Sequence, residues 1–157
     1  MKFHFLSSNN PEAKNTEKKL TELFGQNSVE DADYIIPIGG DGLLLKSLHN
    51  FNKLNKPFFG INFGSIGFLM NNLSNENLND MITNAKKSTF KPLKMTAQSV
   101  NNEIFEAYAY NEVSLMRQTH LASKIKIKIN EKVKMEELIC DGVLLSTSAG
   151  STACLLY

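Results

Sequence analysis

The chain has few cysteines, no excess of charge of either sign and no long hydrophobic run, and each absence excludes a class of function. Its two cysteines, Cys140 and Cys154, form neither a CxxC motif nor a disulfide framework, and read as small buried hydrophobes. Seventeen basic residues are interspersed with 16 acidic ones, for a formal net charge of +1. No global field therefore draws the chain to nucleic acid or to an anionic membrane. No apolar run approaches the roughly 20 residues that span a bilayer, and the opening MKFHFLSSNNPEAK lacks the apolar core of a secretory signal. A cytoplasmic location with no membrane partner is the default expectation. GxxxxGK(S/T) is absent, which excludes a Walker-type phosphate loop, and the absence of GxGxxG argues against a hydride-transferring dehydrogenase. There is no internal repeat, and His4, His49 and His120 share no spacing that suggests a metal site or a triad.

What is present is an alternation of strand and helix signals. KFHFL at residues 2–6 reads as a strand. It is followed by cap candidates Ser8 to Asn10, Pro11 in a first helical turn, Leu20, Leu23 and Phe24 on one helical face, and Gly25 as a stop. ADYIIPIGG reads as a second strand, with Pro37 expected near its end. DGLLLKSLHNFNKL reads as a helix starting at the glycine turn, KPFFGIN as a third strand, and SNENLNDMITNAKK as a helix capped by Ser74. Such alternation predicts a parallel sheet with helical crossovers.

From Met95 onward the texture changes to strands. MTAQSV and IFEAYAYNEVSLM are joined at Asn101-Asn102, and SKIKIKI and KVKMEEL at Asn130-Glu131, as hairpins. Asp141-Gly142 is a further hairpin-turn signal. The fold class expected is an α/β N-terminal domain, residues 1–90, followed by an incomplete β-rich domain, residues 95–157. A β domain of roughly 60 residues buries too little surface to be secure alone, and the chain stops on the apolar CLLY, as a C-terminally truncated product would.

Ligands of an open parallel sheet bind at the carboxyl ends of its strands. IGGDG lies at such an end and directly precedes a helix. Gly39, Gly40 and Gly42 there let backbone N–H groups point at a phosphate, assisted by the helix dipole. Asp41 would repel phosphate, and makes sense as acceptor of a hydroxyl proton or organiser of a metal ion. Lys46, one turn further, could offset phosphate charge. On these letters alone an ordinary glycine-rich turn capped by aspartate reads equally well. GINFGSIGFL, residues 60–69, is a second glycine cluster, where Gly64 and Gly67 allow close approach of a ligand edged by Asn62 and Phe63. Asn111-Glu112 interrupts an apolar strand, and TSAGST, residues 147–152, gathers hydroxyls around one glycine.

Taken in order, GGDG, GINFGSIGFL, NE and DGVLLSTSAGSTA resemble the NAD kinase family, from about Tyr34 to Ala153. The resemblance implies ATP-dependent phosphorylation of the 2′-hydroxyl of the adenosine ribose of NAD, with ATP, NAD and a divalent cation, Mg²⁺ by analogy, and assembly into a homo-oligomer. Asp41 would be the base and Gly39, Gly40 and Gly42 the phosphate turn. Asn111 and Glu112 would hold a ribose or its neighbourhood, Asp141 the nicotinamide end, Thr152 and Ala153 would line the adenine or amide pockets, and Thr147 and Ser151 would also belong to the nucleotide-binding set. No protein metal ligand is assigned. The chain departs from the family pattern at Leu43, Ser148, Ala149 and Cys154. Two alternatives remain: a non-catalytic remnant that retains the motifs, and a lipid kinase sharing only GGDG.

Overall fold

A computed structural model describes residues 1–65, 67–74 and 77–154, with 152–154 described by their backbone alone. The chain divides into two compact units, Met1–Ser88 and Thr89–Tyr157.

In the first unit, strand β1 (Phe3–Ser7), helix α1 (Pro11–Phe24), β2 (Tyr34–Gly39), α2 (Asp41–Asn50), a single 3-10 turn, β3 (Ile61–Asn62) and α3 (Leu78–Asn84) follow one another. The strands form a parallel sheet in the order β1-β2-β3. Helix α1 starts where the side chain of Asn10 accepts the Glu12 N–H and Pro11 occupies the first turn. It ends at Gly25, whose φ of 76° suits a residue without a Cβ. Phe3, Phe5, Ile36, Ile38 and Ile61 from the strands pack with Ala13 and Leu20 of α1 and with Leu78 and Ile82 of α3. Each such fully buried Phe or Ile contributes about 1.5–3 kcal/mol relative to an exposed one. The outer edge of β1 is closed by side chains: the Gln26 amide exchanges two hydrogen bonds with the Phe5 backbone, and Asn27 donates to Phe3 O.

Leu23 does not share the buried face of α1; it is 75% exposed, because residue 20 already points into the core and 23 falls at the rim of that stripe. The cap of α3 is Asn77, which accepts the Asn79 N–H, and not Ser74; Asn75 and Glu76, within the expected helix, lie outside the described residues. Pro37 lies two residues from the end of β2, as expected, but β2 is the central strand of the sheet, where Pro37 pairs with Leu6. On the β3 side Ile35 N–H donates to Pro57 O and Ile35 O accepts from Phe59 N–H, so the next donor in that ladder would be residue 37. Proline has no N–H, and the ladder is interrupted between the bridge at Phe58 and its resumption at Ile61.

The second unit contains β4 (Leu93–Gln98), β5 (Ile104–Ala109), β6 (Glu112–Met116), β7 (Ser123–Ile129), β8 (Lys132–Cys140), β9 (Gly142–Ser146) and α4 (Ser148–Cys154). They pair antiparallel as β4-β5, β6-β9 and β7-β8. The β7-β8 hairpin turns on Asn130 and Glu131, with φ of 49° and 62°, the left-handed pair a two-residue turn requires. Asp141-Gly142 is not a hairpin turn: β8 pairs back to β7 while β9 pairs to β6. IFEAYAYNEVSLM is likewise not one strand, since β5 and β6 are separated at Tyr110-Asn111, whose carbonyls are taken by Thr147. Cys140 is a free thiol and half-buried rather than buried; the Cys154 side chain is outside the described residues.

Candidate functional site

In the first unit, Gly39 closes β2, Gly40 is the N-cap of α2, and Asp41 and Gly42 begin the helix. The second glycine loop lies against this turn. Phe63 N–H donates to Gly39 O at 2.7 Å, and a Cβ on Gly40 would come within 3.6 Å of Gly64 Cα. Asp41, half-buried, accepts the Phe68 N–H through Oδ2 at 3.0 Å and the Leu69 N–H through Oδ1 at 3.1 Å. The carboxylate is thereby oriented by two backbone donors of residues 67–70, at the first turn of a helix whose N–H groups are unpaired within it.

The three glycines of GGDG differ in why they are small. A Cβ on Gly39 would lie 2.9 Å from Leu43 Cδ2 and 3.1 Å from Ser8 Cβ, whereas one on Gly42 would meet nothing within 4 Å. A side chain at 39 would therefore have to displace the ends of Leu43 and Ser8, while one at 42 would displace nothing. Lys46 is exposed on α2. Asn62 Oδ1 accepts the Gly64 N–H at 3.0 Å, and its side chain fills the space beside Gly67, where a Cβ would be 2.6 Å away. Phe63, expected at a ligand edge, is half-buried and packs against the core cluster.

In the second unit, Thr147 joins NE to TSAGST. Its N–H donates to Asn111 O at 2.8 Å and its hydroxyl to Tyr110 O at 2.6 Å. The same oxygen accepts the Gly150 N–H at 3.0 Å, which makes Thr147 the cap of α4. Gly150 is buried against Asn111, and a Cβ there would fall 2.1 Å from Asn111 O. Glu112 is half-buried and Ser151 exposed; the side chains of Thr152 and Ala153 lie outside the described residues. Asp141 is exposed, and its Oδ1 accepts from Arg117 Nε at 2.5 Å. Arg117 also donates to Thr119 O, and its own N–H donates to Asp141 O at 2.9 Å.

Sequence reasoning missed Phe68 and Leu69 as donors to Asp41, because a backbone amide leaves no side-chain signature. It also missed Arg117, whose partner is distant in sequence. Among the described residues no group of three or more His, Cys, Asp or Glu side chains could hold a metal ion. The glycine turns offer one carboxylate, Asp41. That donor set fits a Mg²⁺ carried chiefly by phosphate oxygens and water, not a protein cage. No described helix is long and apolar enough to cross a membrane.

The family model for the ATP-NAD kinase N-terminal domain matches residues 1–90. The NAD kinase of Brucella suis is 47% identical over 150 residues, which cover 96% of this chain and 58% of that protein. A crystal structure of an NAD kinase from Archaeoglobus fulgidus in complex with ATP is 26% identical with a TM-score of 0.62, over 97% of this chain and 63% of that one. Yeast NADH kinase complexed with NADH shares the fold at 19% identity and a TM-score of 0.68, over 99% of this chain and 60% of that one. The chain thus spans about 58% of the length of the curated relative.

Proposed function

Since the chain belongs to the ATP-NAD kinase family, we propose that it serves transfer of the γ-phosphoryl group of ATP to the 2′-hydroxyl of the adenosine ribose of NAD, giving NADP. The observation that carries this reading is Asp41: a carboxylate oriented by two backbone amides, at a helix start flanked by glycine turns. In that role Asp41 accepts the hydroxyl proton as the ribose oxygen forms its bond to the γ-phosphorus. The bond from that phosphorus to the β–γ bridging oxygen breaks, and ADP leaves. Phosphoryl transfer rests chiefly on positioning and charge stabilisation. The amides of the Gly39–Gly42 turn and the N-terminus of α2 supply fixed positive dipoles for the triphosphate, and Lys46 adds a mobile charge. A divalent cation, when bound, neutralises phosphate charge. Asn111, Glu112, Asp141, Thr147, Ser151, Thr152 and Ala153 are proposed to hold NAD, with Asn62 and Phe63 at the ligand's edge beside the glycine loop.

The direct test is NADP formation by the purified chain from NAD, ATP and Mg²⁺. Asp41→Asn keeps the size of the side chain but cannot take the proton, and general-base loss costs about 10²–10⁴-fold in rate, with NAD binding retained. Equal rates for the variant and the parent would refute the assignment of Asp41.

One observation favours a second reading, in which the chain binds nucleotide without turnover. Every buried hydrophobic among the described residues lies at or before Ile82, and Ile104, Leu115 and Leu145 are each at least 60% exposed. An NAD- or ATP-induced rise in melting temperature without NADP formation would select this reading.

A further inference from the structure

A third loop meets the two glycine turns at the carboxyl end of the sheet. Asn10 Oδ1 accepts the Glu12 N–H at 2.8 Å, and this bond fixes the orientation of the side-chain amide. Its Nδ2 then donates to Phe63 O at 3.1 Å. Phe63 is itself bonded to Gly39 through its N–H, and the far end of the same loop supplies both donors to Asp41. We propose that Asn10 is a positioning residue for Asp41: the cap of α1 anchors the loop that aims the carboxylate.

The chemistry of the side chain supports this division. Asp and Ser cap a helix as well as Asn does. A carboxylate at position 10 would keep the bond from Glu12 N–H but set a second acceptor against Phe63 O. Serine offers one oxygen, which cannot reach both groups as the two-ended amide does. The helix alone therefore does not require asparagine; the bond to Phe63 does. The Asn10 side chain bonds to Glu12 N–H and Phe63 O and not to Asp41, so it acts through the loop.

This assignment rests on Asp41 as the proton acceptor for its functional weight, but its test needs no turnover. Amide hydrogen exchange is followed by NMR in the whole chain for Asn10→Asp and Asn10→Ser, each in the parent and in an Asp41→Ala background. The expected result is exchange of the Phe68 and Leu69 amides about fivefold faster or more in both position-10 variants, with the Leu20 and Ile36 amides unchanged. In the Asp41→Ala background substitution of Asn10 should produce no further change at Phe68 and Leu69, since their acceptor is gone. Unchanged protection at Phe68 and Leu69 would overturn the proposal. So would a loss shared equally by Leu20 and Ile36, or an effect that persists without the Asp41 carboxylate. Asn10→Ser keeps a neutral cap and supplies the answer should Asn10→Asp fail to fold. Absence of NADP formation would count against the kinase reading and leave these exchange results interpretable.

Discussion

Replacing Gly42 by alanine separates what the fold needs at GGDG from what a ligand needs. Gly42 is the second residue of α2, and its φ lies outside the left-handed region. An added Cβ would meet no atom within 4 Å. The folded state therefore accepts alanine without strain, while the unfolded chain loses backbone freedom; such substitutions stabilise by about 0.4–1 kcal/mol. For a folding unit of this size each kcal/mol moves the melting temperature by roughly 4–8 °C, so a rise of about 2–8 °C is expected. ATP binding should move the opposite way. If triphosphate oxygens approach the backbone here, the methyl group stands in their path, and overpacking of about 1–3 kcal/mol weakens affinity about fivefold or more. The two quantities are read by thermal melting of the free chain and by calorimetric titration with ATP. A fall in melting temperature would refute the reasoning, for it would reveal a contact at Gly42 that the structure does not contain. A higher melting temperature with unchanged ATP affinity would remove Gly42 from the phosphate turn.

Gly67→Ala is expected to act in the reverse sense. Its Cβ would lie 2.6 Å from Asn62 Cγ, so the Asn62 side chain must leave its bond to Gly64, and a net loss of about 1–3 kcal/mol follows, measured by urea denaturation. In the second unit the Lys94 ammonium holds the Glu106 carboxyl below the usual carboxylate range, chiefly through the hydrogen bond between them. A carboxyl lowered in the folded state stabilises above its unfolded-state pKa and loses that contribution as pH falls through the folded value. The expected outcome in an NMR titration is a Glu106 midpoint that returns to the ordinary range in Lys94→Ala. An unchanged midpoint would remove the pairing as its cause.

The first unit was legible where signals are local. Asn10, Pro11 and Gly25 mark a helix within one stretch of chain, and all three take the roles that their chemistry suggests. Ser74 failed as a cap because Asn77, closer to the apolar positions of α3, offers the same acceptor chemistry. That Pro37 would sit in a central strand was not legible, because it depends on β3, which lies beyond the intervening helix and leaves a gap in its ladder where the missing N–H would fall. For Asp41, its place at a strand-to-helix turn was readable from four letters. The amides that aim it were not, because they belong to a loop 27 and 28 residues away.

In the second unit, period-two patterning identified strands but not partners, since alternation says which side chains share a face and nothing about what lies beside the strand. Asp141-Gly142 carries a hairpin sequence, yet the pairing of β9 with β6 instead of β8 overrides it. That non-local choice has a consequence for the motifs. By laying β9 along β6 with Ser146 opposite Glu112, it brings Thr147 to Tyr110 and Asn111, where one hydroxyl both donates to a carbonyl and caps α4. NE and TSAGST, separate in sequence, are then one local structure. Within it Thr147 and Gly150 are committed to the fold, the first by its hydrogen bonds and the second because no Cβ can coexist with Asn111 O. The Asn111 carbonyl is committed as well; among the described side chains here, those of Asn111, Glu112 and the exposed Ser151 keep capacity to meet a ligand.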